Sequence, residues 1–401
     1  MSVAVRNPDR AAVTRHLCAV GSVTDVSTWS GIPFHFWEES RRTGFATGAC
    51  EVDLGKLRLA RLVWNAGRRL RGLATGGFQY SGWFLDKLEA QIPADRWQDE
   101  IITFHQHFPR TRTVVAHGGG LNHYLDAPFA ALATGRGLDL KLPDDVVKRA
   151  LELERENYAG SKRVILMARW AAEVMRAECG VAEETLHVIL PGANLNLPED
   201  WDFPVPEGRA GKERPFTLGF VGKDWRRKGL PLLIEVMENL QRRGWKTRVL
   251  VIGEAPADLR SVPGVEFAGY LDKRTSNREF LERLSGCDVG CLFSEREALG
   301  ISTLEFLRAG IPVAGFEHEG TADTIPPDAG FRLMRGSSAV EIADRFEEYL
   351  QDEARQADCR ERSRRWSPLV TWRRCLEEFA ELWSTGRVAA PVRPWMGLDA
   401  L

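Results

Sequence analysis

Two successive rounds of one alternation govern what this chain can fold into. Short apolar runs of strand length alternate with longer segments of helical period, once before a stretch rich in Pro, Gly and charge at 197–215 and once after it. In the first round, HLCAVG (16–21, ending at Gly21), EIITFHQHF (100–108), RTVVAH (112–117), NHYLDA (122–127), KRVILMA (162–168) and LHVILPG (186–192) predict strands or strand ends, and RWAAEVMRAECG predicts a helix. In the second, FTLGFVG, KTRVLVIG, VEFAGY, DVGCLF and IPVAGF predict strands, separated by the helical KGLPLLIEVMENLQRRG, NREFLERLSGC and GISTLEFLRAG. Two such βα series imply an α/β chain with two doubly wound, Rossmann-like parallel sheets. Ligands of such sheets bind beyond the carboxyl ends of the strands, so two facing sheets would form a cleft. The expected division is a first domain over 1–200, a linker over 201–214, a second domain over 215–366, and a C-terminal segment over 367–401. The last contains LVTWRRCLEEFAELW, a helix that must bury its Trp and Leu side chains, with the first domain as the expected surface.

Composition narrows the function classes. The length of 401 residues suits two cores rather than one. A formal net charge of −2 argues against a dedicated nucleic-acid binder. Seven cysteines are scattered with no Cys-x-x-Cys pair, which points to reduced thiols and a cytoplasmic setting rather than a disulfide framework or zinc ribbon. MSVAVRNPDRAAVTRH lacks the apolar core of a secretory signal, and no apolar run reaches membrane-spanning length. Any membrane contact is then expected to be peripheral, on the inner face.

The segment FSEREALGISTLEFLRAGIPVAG (293–315) carries the sharpest chemistry. Glu297 is expected in the loop after a strand, Gly300 at the start of a helix, and Glu305 about one and a half turns inside it, at ~3.6 residues per turn. Backbone N–H groups of Ala298, Leu299, Gly300 and Ile301 would then be free at a helix N-terminus, a seat for a diphosphate. An acid one turn further in can accept hydrogen bonds from a vicinal diol. The cations such a ligand needs lie in GFVGKDWRRKG (219–229): Lys223, Arg226, Arg227 and Lys228, following Gly222 at a strand-to-helix junction. Neither G-x-G-x-x-G nor G-x-x-x-x-G-K-[ST] is present there. The plain alternative for the basic run is a solvated turn, and for the two acids a charged surface helix.

As a set, these residues resemble the donor domain of retaining nucleotide-sugar glycosyltransferases of the GT-B fold, glycosyltransferase family 4. Lys223 and Lys228-Gly229 match that family's basic residue and Lys-Gly pair. Glu297, Leu299, Gly300, Glu305, Ala309, Gly310, Pro312 and Val313 match its E-x7-E helix, over roughly 216–335. The first domain resembles the family less closely. VTDVSTWSGIPFHFWEESRRTG (23–44) is similar to its glycine-bearing acceptor loop, with Gly31. Asp126 in NHYLDAPF is the better match for the inner-strand residue that reaches the donor sugar, with His117 in VVAHGGG as competitor. The resemblance implies transfer of a hexose-type sugar from a UDP- or GDP-linked donor to a hydroxyl of a glycan, lipid-linked or small-molecule acceptor. It implies retention of configuration and no cofactor or metal, with Lys223 and Lys228 standing in for Mg²⁺. Glu297 would bind donor-sugar hydroxyls and Glu305 the ribose. An epimerase, or a non-catalytic nucleotide-sugar-binding protein of the same fold, is the alternative.

Three other features admit functional readings. His105 and His107 on one strand face, with His117, His123 or Asp126, could ligate zinc, although the spacing matches no zinc signature; they could instead face the acceptor or simply lie in the core. HGGG (117–120) resembles an esterase oxyanion loop, but the chain has no G-x-S-x-G. KLRLARLVWNAGRRLRG (56–72) is amphipathic and basic. It suits docking on an anionic membrane through Arg68, Arg69 and Arg71, or an ordinary surface helix with its apolar stripe buried.

Overall fold

The computed structural model describes residues 14–138, 141–388 and 393–395. It forms two compact units. The first comprises the described part of 1–134, with 141–166 and 172–188; the second comprises 135–138, 167–171 and the described residues from 189 onward.

The first unit holds a six-stranded, all-parallel sheet: β1 (Arg15–Cys18), β2 (Gly48–Cys50), β3 (Glu100–Thr103), β4 (Gly120–Leu125), β5 (Arg163–Leu166) and β6 (Leu186–Val188), in the order β2-β1-β3-β4-β5-β6. Every residue of β4 is buried, as expected for a strand covered on both faces. The apolar run TRTVVA is a helix, Thr111–Ala116, not the strand its two valines predict. Its buried positions are Thr111 and Val114, a helical spacing, and Asn157 Oδ1 accepts from the Thr111 N–H at 2.5 Å. Tertiary capping here overrides β propensity. EIITFHQHF is likewise a strand only as far as Thr103; the histidines lie in the following loop.

The second unit holds another six-stranded parallel sheet: β7 (Phe216–Gly222), β8 (Thr247–Gly253), β9 (Val265–Gly269), β10 (Val289–Leu292), β11 (Val313–Phe316) and β12 (Gly330–Leu333), in the order β12-β11-β10-β7-β8-β9. The chain first winds from β7 through β8 to β9, then restarts on the other side of β7 at β10. The loops after β7 and β10 therefore diverge, and the sheet has its switch point between them. Helix Leu230–Arg242 buries Leu230, Leu233, Ile234, Met237 and Leu240, one helical face, against this sheet. The Phe216, Phe331, Phe346 and Tyr349 rings pack edge-on between β7, β12 and helix Ala339–Gln351.

Two expectations about boundaries change. Residues 189–200 group with the second unit rather than the first. The reason is the C-terminal helix Trp372–Thr385, which packs on this segment inside the second unit. Ala193 N–H donates to Val370 O at 2.9 Å, and the Trp372 indole N–H to Asn194 Oδ1 at 3.1 Å. Buried Trp372, Cys375, Leu376, Phe379 and Leu382 form its inner face.

Candidate active site

The site lies at the switch point of the second sheet. Lys223 begins the loop after β7, and its ammonium sits 4.4 Å from the centroid of the Tyr270 ring, a cation–π contact. The turn then brings Arg227 and Lys228 back over the sheet end. A Cβ on Gly222 would collide with the Lys228 side chain, so the absence of one lets Lys228 lie close to the strand. Arg227 Nη1 donates to Glu297 Oε2 at 3.1 Å and to Arg296 O at 3.0 Å, and its Nε to Asp224 Oδ2 at 3.0 Å. Lys228 Nζ stands 3.5 Å from the same Glu297 oxygen.

Glu297 is 7% exposed. Burial opposes its ionisation. The Lys228 and Arg227 charges outweigh it, with hydrogen bonds from Arg227 and Ser294, and hold the carboxyl below its ordinary value. Glu297 is thus a fixed carboxylate with two cations beside it. Its backbone N–H donates to Glu319 Oε2 at 2.7 Å, and the other oxygen of Glu319 accepts from Gly137 N–H at 2.9 Å. Glu319 adopts φ 47, a region that side-chain-bearing residues rarely occupy, so the loop after β11 is strained where it clamps the loop after β10. Ala298 O accepts from the Trp170 indole at 2.8 Å, and Arg169 pairs with Asp323 at 2.6 Å.

Helix Ile301–Arg308 starts where the pattern predicts, with Gly300 as its N-cap at φ 85. Ala298 and Leu299 are buried beside it. The Thr303 hydroxyl bonds Gly300 O and Thr324 Oγ1. Ser302 Oγ, on a residue 3% exposed, has no hydrogen-bond partner among the described residues. The Thr303 N–H donates to Gly300 O at 2.9 Å, and the N–H groups of the helix before it have no carbonyl one turn back within the helix, as at any helix start.

Glu305 is 2% exposed and ion-paired to Lys273, whose ammonium also lies 4.6 Å from the Phe280 ring centroid. Lys273 belongs to the loop after β9. Its pairing carries no local signal, because residues 273 and 305 meet only through the strand order. The same holds for Glu319. Arg227, visible in the basic run, proves to be the cation hydrogen-bonded to Glu297.

The residues predicted in the first domain fare differently. Asp126 directly follows β4 at its carboxyl end and is half-buried. Gly31, at φ 82, caps helix Ile32–Thr43 after two further left-handed residues, Trp29 and Ser30. His117 is corrected: it is exposed, ends helix Thr111–Ala116 with its Nδ1 2.8 Å from Thr113 O, and precedes β4. That is the amino end of the sheet, the wrong end for a ligand. His107 is corrected as an acceptor-facing residue: it is 1% exposed, its Nε2 bonds Ala150 O at 2.9 Å, and its ring packs on Tyr80 and Phe129. His105 is half-buried, and its Nδ1 accepts the His107 backbone N–H at 3.1 Å. His123 bonds Ser161 and Asn157 in the core. The described residues contain no group of three or more His, Cys, Asp or Glu side chains arranged to hold a metal.

Residues 206–366 match the family described as Glycosyl transferases group 1. The matched stretch runs from just before β7 past β12, within the second unit. The 2-deoxystreptamine glucosyltransferase of Streptomyces kanamyceticus is 26% identical over 211 residues, 50% of this chain and 54% of that protein. The chain thus spans about half the length of this relative. Among solved structures, sucrose-phosphate synthase from Thermosynechococcus elongatus superposes with a TM-score of 0.66 at 13% identity, over 92% of this chain and 98% of that one. Anabaena HepE, in complex with UDP and glucose, gives 0.63 at 13% identity, over 93% and 100%. At such identities these likenesses establish the fold, GT-B, and the stretch similar to group 1 glycosyltransferases contributes the second sheet.

Proposed function

We propose that the chain transfers a sugar from a nucleoside diphosphate to an acceptor hydroxyl, with retention of configuration and without a metal. The observation that carries this reading is the meeting of Arg227, Lys228 and Glu297 with the N-terminus of helix Ile301–Arg308 at the switch point of a group 1 domain. The diphosphate would lie against the first-turn N–H groups, with Lys223, Arg227 and Lys228 supplying the charge that Mg²⁺ supplies elsewhere. Glu297, ionised beside its cations, would accept hydrogen bonds from donor-sugar hydroxyls. Glu305, with Lys273, would hold the ribose diol. A UDP-linked hexose is the favoured donor, since HepE is described with UDP and glucose.

In the reaction the bond between the anomeric carbon and the β-phosphate oxygen breaks, and its electrons stay on the phosphate. The acceptor oxygen bonds to the same face of the anomeric carbon, and its proton passes to the departing phosphate oxygen. Charge grows on that phosphate as the bond breaks, so fixed cations and N–H dipoles stabilise the transition state more than the ground state. Asp126 is proposed to reach the sugar from the first domain, and Gly31 to line the acceptor side. The acceptor is a glycan, lipid-linked or small-molecule hydroxyl.

Calorimetric titration of UDP, GDP, ADP and dTDP, followed by turnover of the matching labelled donor sugars in EDTA, tests the proposal. One nucleotide is expected to bind, and its sugar to be transferred at an undiminished rate in the chelator. Binding of none would overturn the site assignment. Dependence on added Mg²⁺ or Mn²⁺ would overturn the role given to the cations, and binding without transfer would leave a nucleotide-sugar-binding protein.

A further inference from the structure

Helix Arg58–Leu70 in the first unit is mounted with its apolar face outward. Leu59 is 72% exposed, Leu62 63%, Val63 54% and Leu70 90%, and Leu54 and Leu73 at either end are exposed as well. At about 100° per residue, positions 59, 62, 63, 66 and 70 fall within an arc of roughly 100°. A surface helix of a globular protein normally turns such an arc to the core.

Here the inner face is polar and aromatic, and it is fastened. Arg68 is buried and holds Asp145 through two hydrogen bonds of 2.7 and 2.8 Å, while its Nε donates to Ala74 O at 2.5 Å. Asn65 Oδ1 accepts from Gly76 N–H at 3.0 Å, and Trp64 packs on Phe78. These anchors set the rotation of the helix about its axis, so the exposure of the leucines is built in. Arg68, grouped with the docking arginines from the sequence, is one of the anchors instead.

Charge identifies what covers the stripe. Residues 54–73 contain six basic side chains, Lys56, Arg58, Arg61, Arg68, Arg69 and Arg71, and no carboxylate. All but Arg68 are exposed. On the same helical projection, Arg58 and Arg69 border the apolar arc on one side, and Arg71 follows as the exposed residue just past the helix end. A second copy of this face would bring like charges together. A bilayer with anionic headgroups matches both features at once: acyl chains take the leucines, and phosphates take the flanking arginines. We infer that helix Arg58–Leu70 seats the protein on an anionic membrane surface, lying in the interface plane. No helix among the described residues is long and apolar enough to cross a membrane, so this contact is made from one side.

The test is co-sedimentation of the full chain with vesicles of phosphatidylcholine alone or with one third phosphatidylglycerol, alongside sedimentation velocity without lipid. Binding to the anionic vesicles, weakened by 0.5 M salt, is expected. Leu59→Asp/Val63→Asp should lower the partition coefficient by roughly tenfold or more, since it removes apolar burial and adds repulsion. Arg58→Ser/Arg69→Ser should weaken binding to anionic vesicles while leaving the small binding to neutral ones unchanged. All four positions face solvent, so the melting temperature of each variant should match the parent and report that it is folded. Equal partitioning of parent and Leu59→Asp/Val63→Asp overturns the inference. So does a lipid-free dimer that this variant dissociates, which would assign the stripe to a second copy of the chain.

Discussion

Glu297 and Glu305 are both nearly buried, yet they are held differently, and this separates their expected roles. Glu297 is neutralised by Arg227 and Lys228, groups that a diphosphate would also engage. Glu305 is neutralised by Lys273, on a different loop. In the proposed reaction the ribose would be unchanged, so Glu305, in the role proposed for it, should contribute equally to ground and transition states. Glu305→Ala should raise the donor KM and weaken nucleoside diphosphate binding by roughly ten- to hundredfold, the loss of a charge-assisted hydrogen bond worth about 1.5–3 kcal/mol. Lys273→Ala should weaken the same binding, and the double variant should be less than additive because the two side chains act as a pair. Glu297→Ala should mainly lower kcat and leave nucleoside diphosphate affinity close to that of the parent. Calorimetry and initial rates on these variants decide the matter. Loss of nucleotide binding in Glu297→Ala with retention in Glu305→Ala would reverse the assignment.

At the scale of elements, the site depends on how closely the turn after β7 approaches the end of β10. Gly229 adopts φ 78 at the start of helix Leu230–Arg242, and a Cβ there would strike the carbonyl of Phe293. An L side chain meets both a left-handed backbone and a rigid neighbour. Gly229→Ala is therefore expected to destabilise the protein by about 1–3 kcal/mol and to push Lys228 away from Glu297. Thermal unfolding should show the loss, and nucleotide titration a weaker affinity. An unchanged melting temperature would mean that the turn yields without strain. This element is partly legible in the sequence: FTLGFVG forms β7, a helix follows it as its period predicts, and Gly300 stands at a helix start. Periodicity reports which residues are buried, and glycine reports where a helix begins. The helix Thr111–Ala116 was not legible, because the Asn157 that caps it is distant in sequence.

At the scale of the whole molecule, buried titratable groups make stability depend on pH. Burial holds His107 at about 4 and both His105 and His123 at about 3, against about 6.5 for an exposed imidazole. The unfolded chain takes up protons below pH 6.5 that the folded chain does not. The contribution of these three groups is full above that pH and is lost as pH falls toward 4. Glu154 opposes them. Burial raises its carboxyl to about 7, despite hydrogen bonds from Tyr158, Phe129 and Ala130, so in the same window the folded chain holds a proton that the unfolded chain has released. Three imidazoles against one carboxyl leave about two net protons favouring unfolding. That corresponds to roughly 2.7 kcal/mol of stability lost per pH unit between pH 6 and 5. Urea unfolding at several pH values should show this slope, and His123→Asn should flatten it. A slope of opposite sign would mean that Glu154 outweighs the histidines.

The sequence by itself determined the class of fold and picked out the residues that meet at the candidate site. Strand and helix periods, the basic run at 223–228 and the spacing of Glu297, Gly300 and Glu305 are local patterns, and each reports a local cause such as burial on one face, a turn or a helix start. Tertiary structure alone decided the partners. Strand order brought Lys273 to Glu305 and Glu319 to the Glu297 backbone, and the end of the sheet at which each residue falls removed His117. Rotation of helix Arg58–Leu70 about its axis was decided in the same way. Its sequence is amphipathic whichever face points inward, and tertiary anchors, the distant Asp145 gripping Arg68 among them, hold the leucines to the outside.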